Sequence, residues 1–287
     1  MNIAILGTGI MGAPMTERLT EVGGHTLAVY NRTAEKLKPL VALGAHAFST
    51  PAQAVRASDA VIVMLSDFKA INTVLFGAPR ISFKNRTVIQ MSTIAPEESL
   101  RIAKRVLRSG GEYVECPVLG SKEEARNGNL ILMFGGTKAQ HEKWSDALTG
   151  LGKAPIYVGE VGKASGMKLA LNQLIAGMGA AFTLSLAFVE ASGTNRDLFM
   201  DIVRKSALFA PMYEKKWARL AERNYAGPNF PTKLLLKDVN LFLREAKRLK
   251  LTADSLAGIR RVLERAIKSG HGDVDYISII EAMREKK

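Results

Sequence analysis

The pattern that most constrains this chain lies in its first twelve residues. Asn2-Ile3-Ala4-Ile5-Leu6 has the make-up of a buried strand. It runs without a break into Gly7-Thr8-Gly9-Ile10-Met11-Gly12 and then into a helix-forming segment. A G-x-G-x-x-G loop carries meaning when it joins a strand to a helix in this way. The first glycine permits the tight turn, the second lets backbone approach a pyrophosphate, and the third lets the helix pack close to the strand. The helix N-terminus then offers oriented N–H donors to the phosphates. Gly7, Thr8, Gly9, Ile10, Met11 and Gly12 are accordingly candidate cofactor-binding residues.

Further apolar runs recur at helix-length intervals, over residues 26–30, 60–65, 87–91, 112–115 and 130–134. Near-continuous apolar strands separated by helices predict a mostly parallel sheet covered on both faces. The expected fold is a doubly wound α/β (Rossmann-type) domain over residues 1–161. After Gly162 the strand pattern stops, and residues 162–287 read as an all-helical substrate and oligomerisation domain. A long helix is predicted over 164–191, with no charge between Lys168 and Glu190. That stretch is long enough to span a membrane. Its Asn172, Gln173, Thr183 and Ser185, together with Gly177 and Gly179, favour a central helix buried by other helices or by a second subunit. A homodimer or homotetramer without a membrane is expected on that ground.

Charge and cysteine content narrow the class. The net charge is +13 from 40 basic and 27 acidic residues, with 19 basic against 11 acidic from Asp201 onward. A field of this sign favours an anionic partner, whether nucleic acid, an acidic membrane surface or a phosphorylated small molecule. Stretches such as Arg244-Glu245-Ala246-Lys247-Arg248 read as solvated helix surface, and no basic stretch interleaved with aromatics favours nucleic acid. A single cysteine, Cys116, excludes a disulfide framework within the chain and a multi-cysteine zinc site. His25, His46, His141 and His271 are scattered, so no metal is expected. Cys116 itself reads as packing, with no base near it in sequence. The first residues show neither a positive n-region nor a cleavage site, and a cytoplasmic location is expected.

The end of the second run decides the form of the cofactor. An acidic residue there would bond a ribose 2′-hydroxyl and repel a 2′-phosphate. Asn31-Arg32-Thr33 stands there instead, and a guanidinium pairs with a phosphate. NADP is expected, with NADPH preferred over NADH.

These motifs, with others in the same order, resemble the β-hydroxyacid dehydrogenase family, which includes the 3-hydroxyisobutyrate dehydrogenases and the glyoxylate/succinic semialdehyde reductases. The likeness runs nearly end to end. After the glycine loop and Asn31-Arg32-Thr33 come Met64-Leu65-Ser66-Asp67, Ser92-Thr93-Ile94, and Pro117-Val118-Leu119-Gly120-Ser121-Lys122 with Ala125 and Gly128. Gly162-Lys163-Ala164-Ser165-Gly166-Met167-Lys168 with Asn172, then Lys237-Asp238, complete it. The Pro117 segment is most similar to the semialdehyde-reductase branch. The resemblance implies that Met64, Leu65, Ser66, Thr93 and Lys237 join Asn31, Arg32 and Thr33 around the cofactor. It places Ser92, Leu119, Gly120, Ser121 and Asp238 at the substrate, and makes Lys168 and Asn172 catalytic. Among the later aromatics Phe209, Tyr213, Trp217, Tyr225 and Phe230, most read as helix packing, with Phe230 expected to reach the substrate.

Lys168 and Asn172 are spaced i, i+4 and so share one helix face. A lysine aimed at a carbonyl oxygen can protonate it as hydride reaches the carbon, and can take the proton back in oxidation. Its reference pKa near ~10.4 generally has to fall for that task, through burial or cationic neighbours such as Lys163, Lys233 and Lys237. Asn172 would orient the lysine or the substrate. This chain departs from the family at Leu119, where a serine is usual; the missing hydroxyl removes a donor to a substrate carboxylate. Gln173 replaces a second asparagine. The expected activity is NADPH-dependent reduction of a small semialdehyde or 2-oxo acid, or oxidation of the matching β-hydroxy acid. The alternatives are reduction of an imine or bulkier neutral carbonyl, or a non-catalytic nucleic-acid- or protein-binding module that keeps the fold. The presence of both Lys168 and Asn172 favours the enzyme.

Overall fold

The computed structural model describes residues 1–77 and 81–284. Among the described residues nine strands form one sheet: β1 Asn2–Leu6, β2 Thr26–Tyr30, β3 His46–Ala47, β4 Ala60–Val63, β5 Thr87–Gln90, β6 Glu112–Glu115, β7 Val118–Leu119, β8 Ile131–Gly135 and β9 Ile156–Gly159. The helices α1 Gly12–Val22, α2 Lys38–Ala42, α3 Pro51–Arg56, α4 Phe68–Phe76, α5 Pro96–Arg108, α6 Lys122–Arg126 and α7 Lys138–Thr149 alternate with them. Helices alone follow: α8 Lys163–Ala191, α9 Arg196–Lys205, α10 Pro211–Ala221, α11 Thr232–Arg248 and α12 Asp254–Ala266. By compactness the chain divides into Met1–Leu169 and Ala170–Lys287.

In the first unit the strand order is β3-β2-β1-β4-β5-β6-β8-β7, with β9 on β8. Strands β1 to β6 are mutually parallel, while β8 runs antiparallel to β6 and β7. The sheet is thus mostly parallel and doubly wound, and the period of two explains why. Ile3, Ile5, Leu27, Val29, Ala60, Ile62 and Ile89 point into one core. Their neighbours Ala4, Leu6, Ala28, Val61, Val63 and Val88 point into another on the opposite face. A sheet with two dry faces needs helices on both. Cys116 lies fully buried in the first of these cores, where burial and the negative Glu115 push its thiol well above the ordinary range. It serves as a packing residue of this core.

Three strands go beyond those expected. Strands β3 and β7 have two residues each, too short to show an alternation, and β9 is a half-exposed edge. The predicted long helix is α8, beginning one residue earlier at Lys163.

The second unit has its own core, which includes Phe182, Leu186, Val203, Leu220, Leu235, Leu263 and Ile277. Phe182 stacks on Tyr213 with ring centroids 4.3 Å apart. The Lys216 ammonium donates to both oxygens of fully buried Asp275, at 2.8 and 2.7 Å. Asp275 also accepts the N–H groups of Asn229 and Ile277, so the buried charge is paired and hydrogen-bonded. Helix α8 contributes only part of its surface to this core. By length and composition alone it is long and apolar enough to cross a membrane. Leu174, Leu184 and Phe188 line its exposed side, Phe188 at 73%.

Candidate active site

The glycine loop owes its shape to close approaches. Gly7 follows β1 with φ +101°, a conformation that glycine adopts without a Cβ penalty. A Cβ on Gly12 would lie 1.9 Å from the Gly7 carbonyl oxygen, so only glycine lets α1 start this near the strand. Gly9 differs, because a Cβ there would meet nothing within 4 Å. Its lack of a side chain leaves backbone open to a ligand and serves no packing need. No side chain caps α1, and its first turn holds no acidic residue, leaving its positive end to an anion.

Asn31 builds the turn after β2. Its Nδ2 donates to Thr8 Oγ1 at 2.9 Å, and its Oδ1 accepts the Thr33 N–H at 2.9 Å. This Asx turn ties the turn to the glycine loop and leaves Arg32 exposed between them. These residues fit a dinucleotide. The loop and the α1 N-terminus would hold its pyrophosphate, and Asn31, Arg32 and Thr33 its ribose end.

The neighbouring strand ends carry the other expected cofactor residues. Met64 and Leu65 are half-buried after β4, and Ser66 is exposed beside Asp67, whose carboxylate caps α4 through the Ala70 N–H at 2.8 Å. Ser92 is buried, and its hydroxyl accepts the Leu65 N–H at 2.8 Å and donates to the Val63 carbonyl at 3.3 Å. It therefore ties the loop after β5 to the loop after β4. Thr93, next to it, is half-buried. Leu119 is half-buried at the end of β7, and Gly120 takes φ +143°. The Ser121 hydroxyl donates to Glu124 at 2.5 Å at the start of α6.

Lys168 is buried near the start of α8, at 9% exposure. Lys163 is exposed, and Lys233 is ion-paired with Asp273. In the second unit Asn172, Lys237 and Asp238 meet. Asn172 Nδ2 donates to Asp238 Oδ2 at 2.7 Å, and Lys237 Nζ lies 2.9 Å from Asp238 Oδ1. The carboxylate fixes which way the amide faces, since its oxygen would be repelled there. That orientation leaves Asn172 Oδ1 buried with no hydrogen-bond partner among the described residues, which is costly unless a donor arrives. Phe230 packs edge-on against Tyr276 at 5.9 Å in the helical core.

Residues 2–159 match the NAD binding domain of 6-phosphogluconate dehydrogenase, and residues 162–283 match the NAD-binding domain of NADP-dependent 3-hydroxyisobutyrate dehydrogenase. The chain belongs to the β-hydroxyacid dehydrogenase family. It is 34% identical to glyoxylate/succinic semialdehyde reductase 1 of Arabidopsis thaliana, over 99% of each chain. To 2-hydroxy-3-oxopropionate reductase of Escherichia coli (strain K12) it is 31% identical, over 99% of this chain and 97% of the other. The fold matches a 3-hydroxyisobutyrate dehydrogenase structure from Salmonella typhimurium with a TM-score of 0.89 at 20% identity, covering 98% and 99% of the two chains. As a β-hydroxyacid dehydrogenase the protein is an NAD(P)-dependent oxidoreductase of hydroxy acids.

Two buried polar residues near these loops escape sequence reasoning. Gln90 closes the loop after β5, with Oε1 accepting the Ser92 N–H at 2.5 Å and Nε2 donating to the Ser92 carbonyl at 2.9 Å. Glu115 is wholly buried between β6 and the start of α8. The signal for each is a polar residue closing a strand, Gln90 after Val88-Ile89 and Glu115 after Tyr113-Val114.

Proposed function

We propose that this β-hydroxyacid dehydrogenase reduces a small semialdehyde or 2-oxo acid with NADPH, and that Lys168 is its general acid. The buried lysine carries the reading, on the same helix as an asparagine whose amide oxygen lacks a donor. A bound nicotinamide supplies the hydride for reduction and takes it back in oxidation. Lys168 donates a proton to the carbonyl oxygen as negative charge develops there, and in the reverse direction accepts the hydroxyl proton. Asp238 holds the Asn172 amide so that its oxygen is left to accept from a substrate hydroxyl. Arg32 supports NADPH over NADH, because it is exposed on a turn that no carboxylate shares. Lys237, ion-paired with Asp238, is the proposed cofactor contact of the helical unit. Ser92, Gly120 and Ser121 shape the substrate side, with Ser92 and Ser121 acting through the loops that their hydroxyls hold.

A second substrate class is favoured by Leu119. An apolar side chain suits an imine or a bulkier neutral carbonyl better than a carboxylate. The exposed apolar side of α8 supports a homodimer or homotetramer, and the proposed cytoplasmic location rests on the sequence alone. Phe182 and Leu186 of the same helix are already buried in the helical core, and its remaining face is apolar like a subunit interface.

Steady-state assays on a carbonyl panel test the reading, with Lys168→Ala measured beside the parent enzyme. The substitution lowers kcat by roughly 10²–10⁴, the range for losing a positioned acid, and leaves the NADPH Kd near normal. A loss under about tenfold removes Lys168 from the mechanism.

A further inference from the structure

Glu115 is fully buried, yet four donors converge on it. Its Oε1 accepts the N–H of Gly162 at 2.8 Å and that of Ser165 at 3.0 Å. Its Oε2 accepts the hydroxyls of Ser165 at 2.6 Å and Ser99 at 2.5 Å. With Ser99 donating to the carboxylate, the Tyr113 hydroxyl 2.8 Å away must donate to Ser99. Burial and the negative Glu115 push the Tyr113 phenol well upward, which keeps it a donor.

The surroundings are cut to this one side chain. A Cβ on Gly135 of β8 would lie 2.6 Å from Glu115 Cγ, so only glycine leaves the carboxylate its room. Gly162 takes φ +99°, which glycine adopts without a Cβ penalty, while its N–H donates to Oε1. The partners join three elements. Ser99 lies on α5, which follows the Ser92-Thr93 loop; Glu115 ends β6; Gly162 immediately precedes α8 and Ser165 lies in its first turn. Lys168 comes three residues after Ser165, one turn along the same face, and helical side chains lean back toward the N-terminus. The turn that Glu115 holds is therefore the platform from which Lys168 extends.

We propose that Glu115 is the positioning residue for Lys168. By anchoring the first turn of α8 to β6 and α5, it sets the reach and direction of the proton donor. The proposal rests on Lys168 being the general acid. It gives a buried carboxylate outside the cofactor and substrate sets a part in the rate of the reaction.

The test is a double-mutant cycle on the full-length enzyme. Glu115→Ala lowers kcat by roughly 10- to 100-fold, the scale of an ångström-sized misplacement, while the NADPH Kd stays within about twofold. Glu115→Gln keeps an acceptor for both backbone N–H groups and stays within about fivefold of the parent. Ser165→Ala removes one bond, lowers kcat about three- to tenfold, and serves where Glu115→Ala does not fold. Added to Lys168→Ala, neither alanine change costs further activity, whereas a merely structural role costs the same in both backgrounds. Thermal melting of every variant shows that it is folded.

The proposal is overturned by folded Glu115→Ala or Ser165→Ala with parental kcat. It is equally overturned if their losses persist undiminished in the Lys168→Ala background, or if NADPH affinity falls in step with kcat. An active Lys168→Ala overturns the acid assignment and this proposal together. An inactive Lys168→Ala beside unimpaired Glu115 and Ser165 variants overturns this proposal alone.

Discussion

Arg32 is placed by its neighbours. Asn31 spends one end of its amide on Thr8 and the other on the Thr33 N–H, so the turn between them is held while the guanidinium stays exposed. An exposed cation facing a doubly charged phosphate is screened by salt, and its effect is largest at low ionic strength. NADPH is expected to bind more tightly than NADH. Arg32→Ala should weaken NADPH by roughly tenfold at low salt, and less at high salt, without altering NADH. Dissociation constants for both cofactors at two salt concentrations check this; equal affinities in the parent enzyme rule the reading out. The glycine loop shows the same economy, with Gly12 required by packing and Gly9 by nothing in the protein itself.

Among the elements, β7 carries the consequence for substrate choice. Leu119 pairs with Ile131 across an antiparallel ladder, and a turn through Gly120 brings the chain to Ser121. Both the hydroxyl and the backbone N–H of Ser121 bond Glu124, so this hydroxyl is committed to holding α6. A substrate carboxylate at this loop would lack a donor from residue 119, a loss of roughly ten- to a hundred-fold in affinity. An apolar portion would instead gain up to ~0.8 kcal/mol per buried methylene. Weak KM values are expected for glyoxylate and other short oxo acids, with higher kcat/KM for longer or less charged carbonyls. Leu119→Ser should move that ratio toward the short acids and leave NADPH affinity unchanged. An unaltered substrate ranking in the variant would show that Leu119 only packs.

At the scale of the whole molecule, the helical unit leaves several large apolar side chains uncovered. Leu174, Leu184 and Phe188 on α8 and Leu198 and Ile202 on α9 are each more than half exposed. Such a surface is costly in water and is what a stable subunit interface covers. Light scattering at micromolar concentration should return at least twice the 31.2 kDa chain mass. Phe188→Glu should lower that mass, because it puts a charge into the face that association would bury. A parent protein at one chain mass would refute the assembly, and association only with vesicles would point to a membrane surface.

How much could be read before folding follows from the range of each interaction. The parallel sheet was legible because dry strands repeat β-branched and aliphatic residues locally, and the glycine loop because three glycines at fixed spacing meet constraints within one turn. Lys168 and Asn172 were legible as a pair because four residues bring them to one helix face. The helix that carries them was legible from its uncharged length. Strands β3 and β7 were not, since two residues carry no period. Nor were the partners of Asn172 and Glu115. Asp238 lies 66 residues beyond Asn172, and Gly162 and Ser165 lie 47 and 50 beyond Glu115. Local pattern dictates the elements because backbone geometry repeats within a few residues. Which buried polar groups meet is decided by packing, because in the dry interior each donor and acceptor must find its partner wherever the folded chain supplies one.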